Sequence, residues 1–191
     1  MKIVIIAVAI FILTNNMIAQ EESSFFHHQI GLSVSTFAGS GLTYVHYFAN
    51  KYAFRIAGFA FYKSGDNQRE WDYDIGCEFQ RNLIVTLRTR LFALVGLQRH
   101  YDFNREKFTN NFQPEPRKFF TEQENSQNAI GAGVGIEGYF LERIAVYLSI
   151  GEKLYWEKEK WTSNNPIFGQ NDENNTKGFQ PSITAGLGYQ F

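Results

Sequence analysis

The stretch that decides the fold lies at the C-terminus, residues Phe179–Phe191, and reads FQPSITAGLGYQF. Every second position in it is apolar: Phe179, Pro181, Ile183, Ala185, Leu187, Tyr189 and Phe191. The positions between them hold small or polar residues. Successive side chains of a β-strand point to opposite faces, so a period of two predicts a strand with one apolar and one polar face.

Working back from this end, the same alternation recurs along the chain. Three clear copies are Trp71–Gln80, Ile130–Glu137 and Ile144–Gly151, and three weaker ones are Ile30–Ser35, Phe54–Phe59 and Leu91–Gln98. The segment Leu42–Phe48 is also strand-like, but Val45 and His46 leave open which of its faces is apolar. Together with the C-terminal stretch they predict eight strands. The start of the fifth strand stays open, because Leu83, Val85 and Leu87 continue the alternation toward Leu91.

Composition excludes several classes of protein. The 191 residues carry a formal net charge of −1, so the basic footprint of a nucleic-acid binder is missing. The single cysteine rules out an internal disulfide framework and a cysteine-rich zinc module. Aromatic residues make up 17% of the chain although its mean hydropathy is −0.29. Rings are therefore abundant where long apolar runs are not.

The N-terminus holds the one sustained apolar run, Ile3–Leu13, directly after Lys2. A helix needs about 20 apolar residues to cross a bilayer, so this run is too short to be a transmembrane helix. A basic start, a short apolar core and a small residue before an acidic segment are typical of a secretory signal peptide. We expect residues 1–20 to be removed, with cleavage after Ala19 or Gln20, and residues 21–191 to form one barrel domain.

The connections between the predicted strands alternate in length. Short ones occur at Ala38–Ser40, Ala49–Lys51 and Leu141–Arg143, and long polar ones occur at Lys63–Glu70, Asp102–Gln127 and Glu157–Lys177. Short turns at one end and long loops at the other are typical of an up-and-down transmembrane barrel, with turns in the periplasm and loops outside the cell. The predicted fold is an all-β, eight-stranded, antiparallel transmembrane barrel.

The polar face of the strands indicates whether the apolar side chains line the lumen or the outside of the barrel. It carries charged residues among glycines and serines: Arg55, Asp72, Asp74, Glu78, Glu137 and Lys153. A soluble barrel with an apolar ligand cup cannot have such a lining, whereas a narrow lumen lets opposite charges pair. We therefore predict that these six residues face the lumen and that the continuous apolar face contacts lipid.

Aromatic residues concentrate where the predicted strands end. Phe54, Phe79, Phe140, Tyr189 and Phe191 lie near the turn side, and Tyr62, Trp71, Tyr101, Trp156 and Phe179 lie near the loop side. Two rings of amphipathic aromatic side chains at the water boundaries are expected for a membrane barrel.

The end of the chain resembles a known group of proteins. The run Ala185–Phe191, with Leu187, Tyr189 and a terminal Phe191 on one face, resembles the assembly signal of Gram-negative outer-membrane barrels. The glycine-rich run Gly131–Tyr139 resembles small porin-family or OmpA/OmpX-like barrel domains of Bacteroidetes-type bacteria. The resemblance implies an outer-membrane location and recognition of the last strand by the barrel-assembly machinery.

Some barrels of this size are enzymes acting on lipid A, and the sequence argues against that chemistry. A deacylase of this type needs a serine two positions from a histidine on one strand face, and none of the four histidines has one. A palmitoyltransferase set is not recognisable either, and no cofactor or metal site is predicted. We expect a non-enzymatic protein; a narrow pore for small solutes is the alternative, and a lipid A-modifying enzyme is a weaker one.

Eight strands leave an interior that side chains can fill, which favours a lumen plugged by polar and charged groups over an open channel. The expected partners are outer-membrane lipid, lipopolysaccharide and the assembly machinery, and not nucleic acid. The long loops 102–127 and 157–177 are the predicted contact region for an extracellular ligand, because variable loops on a rigid scaffold commonly carry binding.

Overall fold

The structure, a computed structural model, describes residues 27–48, 51–110, 117–141, 143–164 and 171–191. Its strands in chain order are β1 (His28–Ser35), β2 (Gly41–Phe48), β3 (Tyr52–Ser64), β4 (Gln68–Val85), β5 (Thr89–Asn110), β6 (Arg117–Phe140), β7 (Ile144–Ser163) and β8 (Asp172–Gln190). Each strand pairs antiparallel with its neighbour in sequence, and β8 closes the ring on β1. The predicted eight-stranded antiparallel barrel is confirmed. The predicted signal peptide lies outside the described residues.

Within the described ranges, no helix is long and apolar enough to cross a membrane. The two faces of the sheet differ in polarity as the period of two requires. Large apolar side chains point outward and stay exposed, among them Ile30, Leu32, Ile75, Leu97, Ile130, Ile136, Leu148, Ile150, Ile183 and Leu187. The residues between them point inward and are buried, and most of those are polar or small. The barrel therefore has a polar interior and an apolar outer belt.

The wall of the barrel is much higher on one side than on the other. β1 and β2 have 8 residues each, whereas β5 and β6 have 22 and 24. Pairing of β2 with β3 stops at Gly58, and pairing of β1 with β8 stops at Thr184. Beyond these points β3 to β8 continue as an open, curved sheet. We call this end the loop end, and the end at the connections after Phe48, Val85 and Phe140 the turn end.

Three ranges predicted as long loops are largely strands. Residues 102–110 pair with 117–125, residues 157–161 pair with 172–176, and β3 and β4 pair up to Ser64 and Arg69. The prediction of loops at 63–70, 102–127 and 157–177 was wrong for these residues. The physical reason is that water reaches both faces of the open wall, so neither face needs apolar residues and the period of two disappears from the sequence.

The region that the sequence left open, residues 81–91, contains an irregular end of β4. The register between β4 and β5 shifts between Asn82 and Ile84, after which pairing continues to Val85 and Arg90. A tight connection follows, in which the Thr86 amide donates a hydrogen bond to the Thr89 carbonyl at 2.8 Å. A β-bulge of this kind moves a strand's side chains by one position, which explains why alternation alone could not place the turn.

Candidate functional site

The interior of the barrel holds most of the charged residues that the sequence singled out. Arg55, Asp74, Glu78, Glu137 and Lys153 are all buried on inward-facing positions of their strands. Asp72 lies on the same face nearer the loop end, where its side chain is 31% exposed. Arg55 and Glu78 face each other across β3 and β4 and form an ion pair.

Arg55 is held by its surroundings in two ways. Its guanidinium donates from one Nη to Glu78, and its Cζ lies 4.7 Å from the centre of the Tyr147 ring. Among the described residues, its Nε and other Nη have no hydrogen-bond partner. The face of the Tyr147 ring partly compensates the Arg55 guanidinium for these missing hydrogen bonds, because aromatic rings attract cations electrostatically.

A second buried ion pair joins Glu137 to Arg90, a residue that the sequence reasoning missed. Arg90 donates to Glu137, to the side-chain Oε1 of Gln80 at 2.8 Å and to the side-chain Oδ1 of Asn82 at 3.0 Å. Its guanidinium also packs on the rings of Tyr47 and Phe92. The signal was present in the alternation of Arg90 with Leu91, but the open boundary of the fifth strand concealed it.

Gln80 connects the two ion pairs into one network. Its amide nitrogen donates to Glu78 at 2.9 Å, while its carbonyl oxygen accepts from Arg90. On the far side, the Tyr47 hydroxyl is hydrogen-bonded to Glu137 and Gln29. Apart from the two unpartnered nitrogens of Arg55, charges of both signs and their polar neighbours therefore pair with one another across the interior, as buried charges require.

Above this network, the connection between β1 and β2 folds into the barrel. Phe37 and Ala38 are 2% and 0% exposed although they lie in a turn. The Phe37 ring lies against Gly96 on β5 and Gly131 on β6, where an added Cβ would come within 2.9 Å and 2.2 Å of ring atoms. Only glycine leaves room for the ring at these two inward positions, which gives the glycine-rich run of β6 a packing role.

Hydrogen bonds fix this inward connection at its base. The Ser35 hydroxyl accepts from the Phe37 and Ala38 amides, and the Ser40 amide donates to the Asp74 carboxylate at 3.0 Å. Gly39 has a φ of 82°, a left-handed conformation that glycine adopts without strain. The connection is thereby held as an ordered part of the interior. Asp74 thus bonds backbone here and also accepts from Gln98 at 2.9 Å.

The remaining two predicted lumen residues lie nearer the loop end and are less tightly paired. Lys153 donates to the Gln127 carbonyl oxygen at 3.4 Å, and Asp72 lies 3.8 Å from the His100 imidazole. In the part of the chain that the structure describes, no group of three or more His, Cys, Asp or Glu side chains is arranged to hold a metal ion.

The open wall at the loop end separates charge between its two faces. Among the side chains that the structure describes, the inward, concave face carries eight acids against three basic residues. The acids are Glu70, Asp72, Asp74, Asp102, Glu106, Glu157, Glu159 and Asp172, and the basic residues are Lys63, His100 and Lys153. The inner surface of the wall therefore carries net negative charge.

The outward, convex face of the same wall has the opposite balance. Its described basic side chains are Arg69, Arg99, Arg105, Lys107, Lys158, Lys160 and Lys177, against Glu122, Glu124, Glu152 and Glu173. Arg105 pairs with Glu122 at 3.1 Å and Lys158 with Glu173 at 2.9 Å. The hydrogen bond from Lys158 lowers the pKa of Glu173. This arrangement could not be predicted from residues that were taken for loops.

Glu152 is an exception within the apolar outer belt. It points outward between Ile150 and Leu154 on β7 and is paired in register with Ala132 and Pro181. One of its carboxylate oxygens is buried and has no hydrogen-bond partner among the described residues. The continuous apolar face expected from the sequence is interrupted at this position.

The predicted C-terminal assembly residues lie on the outside of the barrel near the turn end. Leu187, Tyr189 and Phe191 all point outward and are about half exposed. The Phe191 amide donates to the His28 carbonyl at 3.0 Å, and the two rings stack with centroids 5.7 Å apart. The last residue of the chain is therefore part of the seam at which β8 closes on β1.

Comparisons with known proteins add little information about function to this geometry. No protein-family model matches the chain, and no curated protein matches it. Among solved structures, the chain is similar to the crystal structure of CarO from Acinetobacter baumannii, with 9% sequence identity and a TM-score of 0.40. That match covers 90% of this chain and 100% of the other.

Proposed function

We propose that this chain is a non-enzymatic outer-membrane barrel with a lumen closed to solutes, and that it acts structurally or through surface contacts. The observation that carries the proposal is the inverted polarity of the closed sheet. Large apolar side chains point outward, and charged side chains pair inside. In water this arrangement exposes an apolar belt, whereas in lipid the belt, apart from Glu152, meets an apolar surrounding.

The closed ring of strands supports the membrane location. Lipid offers no hydrogen-bond partners, so a sheet can cross a bilayer only when it has no free edge. The chain meets this condition over the part of the apolar belt where β8 pairs with β1, from Thr184 to Gln190. Outward rings border the belt at both ends, with Trp71, Trp156 and Phe179 at the loop end and Phe140 and Tyr189 at the turn end. The parts of the open β3 and β8 edges that extend beyond the loop-end rings would then lie in water outside the cell.

Two layers of side chains support a closed lumen. At the turn end the network around Arg90, Glu137 and Gln80 crosses the interior. At the level of Gly96 and Gly131 the interior is occupied by Phe37 and the backbone of its turn. A solute would have to displace both a paired charge network and a buried ring.

Planar-bilayer recording tests whether the lumen is closed. We expect the purified full chain to give no stable, reproducible conductance steps, because the two layers leave no continuous water path. An open porin inserted under the same conditions provides the positive control. Reproducible unitary steps from this chain would contradict the closed lumen and favour the alternative of a narrow pore for small solutes.

We further propose that the surface contacts involve the predicted contact region 102–127 and 157–177, whose described residues 102–110, 117–127, 157–164 and 171–177 belong to the extended wall. The wall rises above the short β1 and β2 and presents an acidic concave face, which supports contact with an extracellular partner carrying positive charge. Rigid strands, rather than flexible loops, would present this face to the partner.

The C-terminal residues are proposed to direct assembly into the outer membrane. Deletion of Phe191 is expected to reduce the amount of barrel in the outer membrane at equal expression, because it removes the terminal ring of the outward row and the backbone bond to His28. The measurement is membrane fractionation with immunoblotting, and Phe191→Tyr serves as a control that keeps a ring. Normal insertion of the deletion variant would contradict an assembly role for this residue.

A further inference from the structure

Two adjoining depressions lie on the outer surface of β3 to β6, one above the other. The upper one, nearer the loop end, has a volume of about 560 Å³ and is lined by Tyr62, Arg69, Trp71, Tyr73, Tyr101 and Phe103. The lower one, about 620 Å³, is lined mainly by apolar side chains of the outer belt, including Ile75, Leu97, Ile130 and Trp156. An aromatic, basic depression thus lies directly above an apolar groove.

Arg99 lies between the two depressions. It lines the lower groove, and its Nε donates to the Tyr73 hydroxyl of the upper depression at 3.0 Å. It also donates from one Nη to the Asn128 side-chain carbonyl at 3.2 Å. Its position, two residues above the belt residue Leu97, places a fixed positive charge at the upper limit of the apolar surface.

The level of the basic groups fits the boundary of a membrane. Arg69, Lys158 and Lys177 each lie two residues beyond an outward ring of the loop-end border, namely Trp71, Trp156 and Phe179. Aromatic rings mark the interface between hydrocarbon and headgroups, so the next outward positions reach the headgroups. The upper depression would therefore meet headgroups, while the lower groove would meet acyl chains.

From this arrangement we infer that the outer face of β3 to β6 is a binding site for one molecule of a phosphorylated glycolipid of the outer leaflet. The inference rests on the proposed outer-membrane location. Arg69 and Arg99 each match a phosphate group in charge and hydrogen-bonding geometry. Because Arg99 is paired with Ile75, six residues from Arg69 along β4, the two guanidinium groups would meet different phosphates of the same molecule. The rings of Trp71, Tyr73 and Tyr101 offer flat faces on which sugar rings stack, and the lower groove accommodates an acyl chain. Net positive charge on the convex face disfavours a cationic ligand and favours an anionic one.

The test is a binding titration of the purified full chain in detergent micelles with bisphosphorylated lipid A, followed by native mass spectrometry. We expect one tightly bound lipid, and on the order of tenfold weaker binding for the Arg69→Gln/Arg99→Gln double variant, because two charge-assisted hydrogen bonds are lost. The matched control is Lys107→Gln, also outward on β5 but outside both depressions, which is expected to bind like the unchanged chain.

Comparison lipids identify the chemistry that is recognised. Dephosphorylated lipid A and phosphatidylglycerol are both expected to bind more weakly, because the first lacks the phosphate and the second lacks the sugars. Equal binding of either one, or equal binding by the double variant, would overturn the inference. Inorganic phosphate is expected not to compete at millimolar concentration; competition would mean that the site is a simple anion site.

Insertion is measured separately for every variant, from the shift in gel mobility between unheated and heated samples in lipid vesicles. Both arginines lie on the surface, so the variants are expected to insert normally. Failure of the unchanged chain to insert would contradict the proposed outer-membrane location. Insertion without a preference for lipid A would contradict the binding site but not the outer-membrane location.

Discussion

Replacement of Glu137 by leucine is expected to lower the free energy of unfolding by about 3–5 kcal/mol, because it leaves the Arg90 guanidinium buried without its anion. Arg90 is 2% exposed, and Gln80 and Asn82, which would still accept hydrogen bonds from it, are neutral. The Tyr47 hydroxyl would lose its bond to Glu137 as well. Urea-induced unfolding in lipid vesicles, followed by tryptophan fluorescence, measures the effect.

A double-mutant cycle separates the lost charge partner from the lost volume. Removal of both charges in Arg90→Met/Glu137→Leu is expected to restore much of the stability, because replacing a whole buried ion pair with apolar groups is often close to neutral. The conservative variant Glu137→Gln keeps an acceptor and should fall between the two. If the double variant were as unstable as Glu137→Leu alone, the loss would come from packing and not from an uncompensated charge.

Replacement of Val134 by arginine is expected to cost about 2–4 kcal/mol, the penalty for a cation at the centre of the bilayer. Val134 points outward on β6 and lies midway along that strand between Asn128 and Phe140. It is flanked on the same face by Ala132 and Ile136 and is paired with Ile150. The same vesicle unfolding experiment gives the value.

The matched control for this substitution is Asn128→Arg, on the same strand and the same face but level with the loop-end rings. Near the interface the cost of a cation falls to about 0–1 kcal/mol, because the side chain reaches water. The difference between the two positions is the diagnostic quantity. Equal costs at both positions would mean that the outward belt does not face lipid.

The sequence by itself determined the strands that cross the apolar belt. In Ile144–Ile150 and Ile183–Phe191 one face must suit an apolar surrounding while the other must suit a polar interior, so the chain has to alternate. The same constraint made Arg55, Glu78 and Glu137 recognisable as inward residues. Where the two sides of a strand face different environments, consecutive residues differ in polarity.

Above the belt that constraint disappears, and the sequence alone was misleading. Residues 102–110 and 117–127 are strands of the open wall. Both of their faces are open to water, so apolar residues do not recur there at every second position. The charges of the whole wall are nevertheless unevenly distributed, with most acids on the inward face and most basic residues on the outward face. This sorting becomes visible only when the pairing register tells which residues share a face.

Only the tertiary structure shows which side chains meet in the lumen. Phe37 lies in a short turn that has no local feature of a buried segment, and its site is created by Gly96 and Gly131 on distant strands. The pairing of Arg90 with Glu137 likewise depends on the register of β5 against β6 after a bulge in β4. Local alternation records which side of the sheet a residue faces, whereas contact across the barrel depends on closure and register, which no single segment of sequence contains.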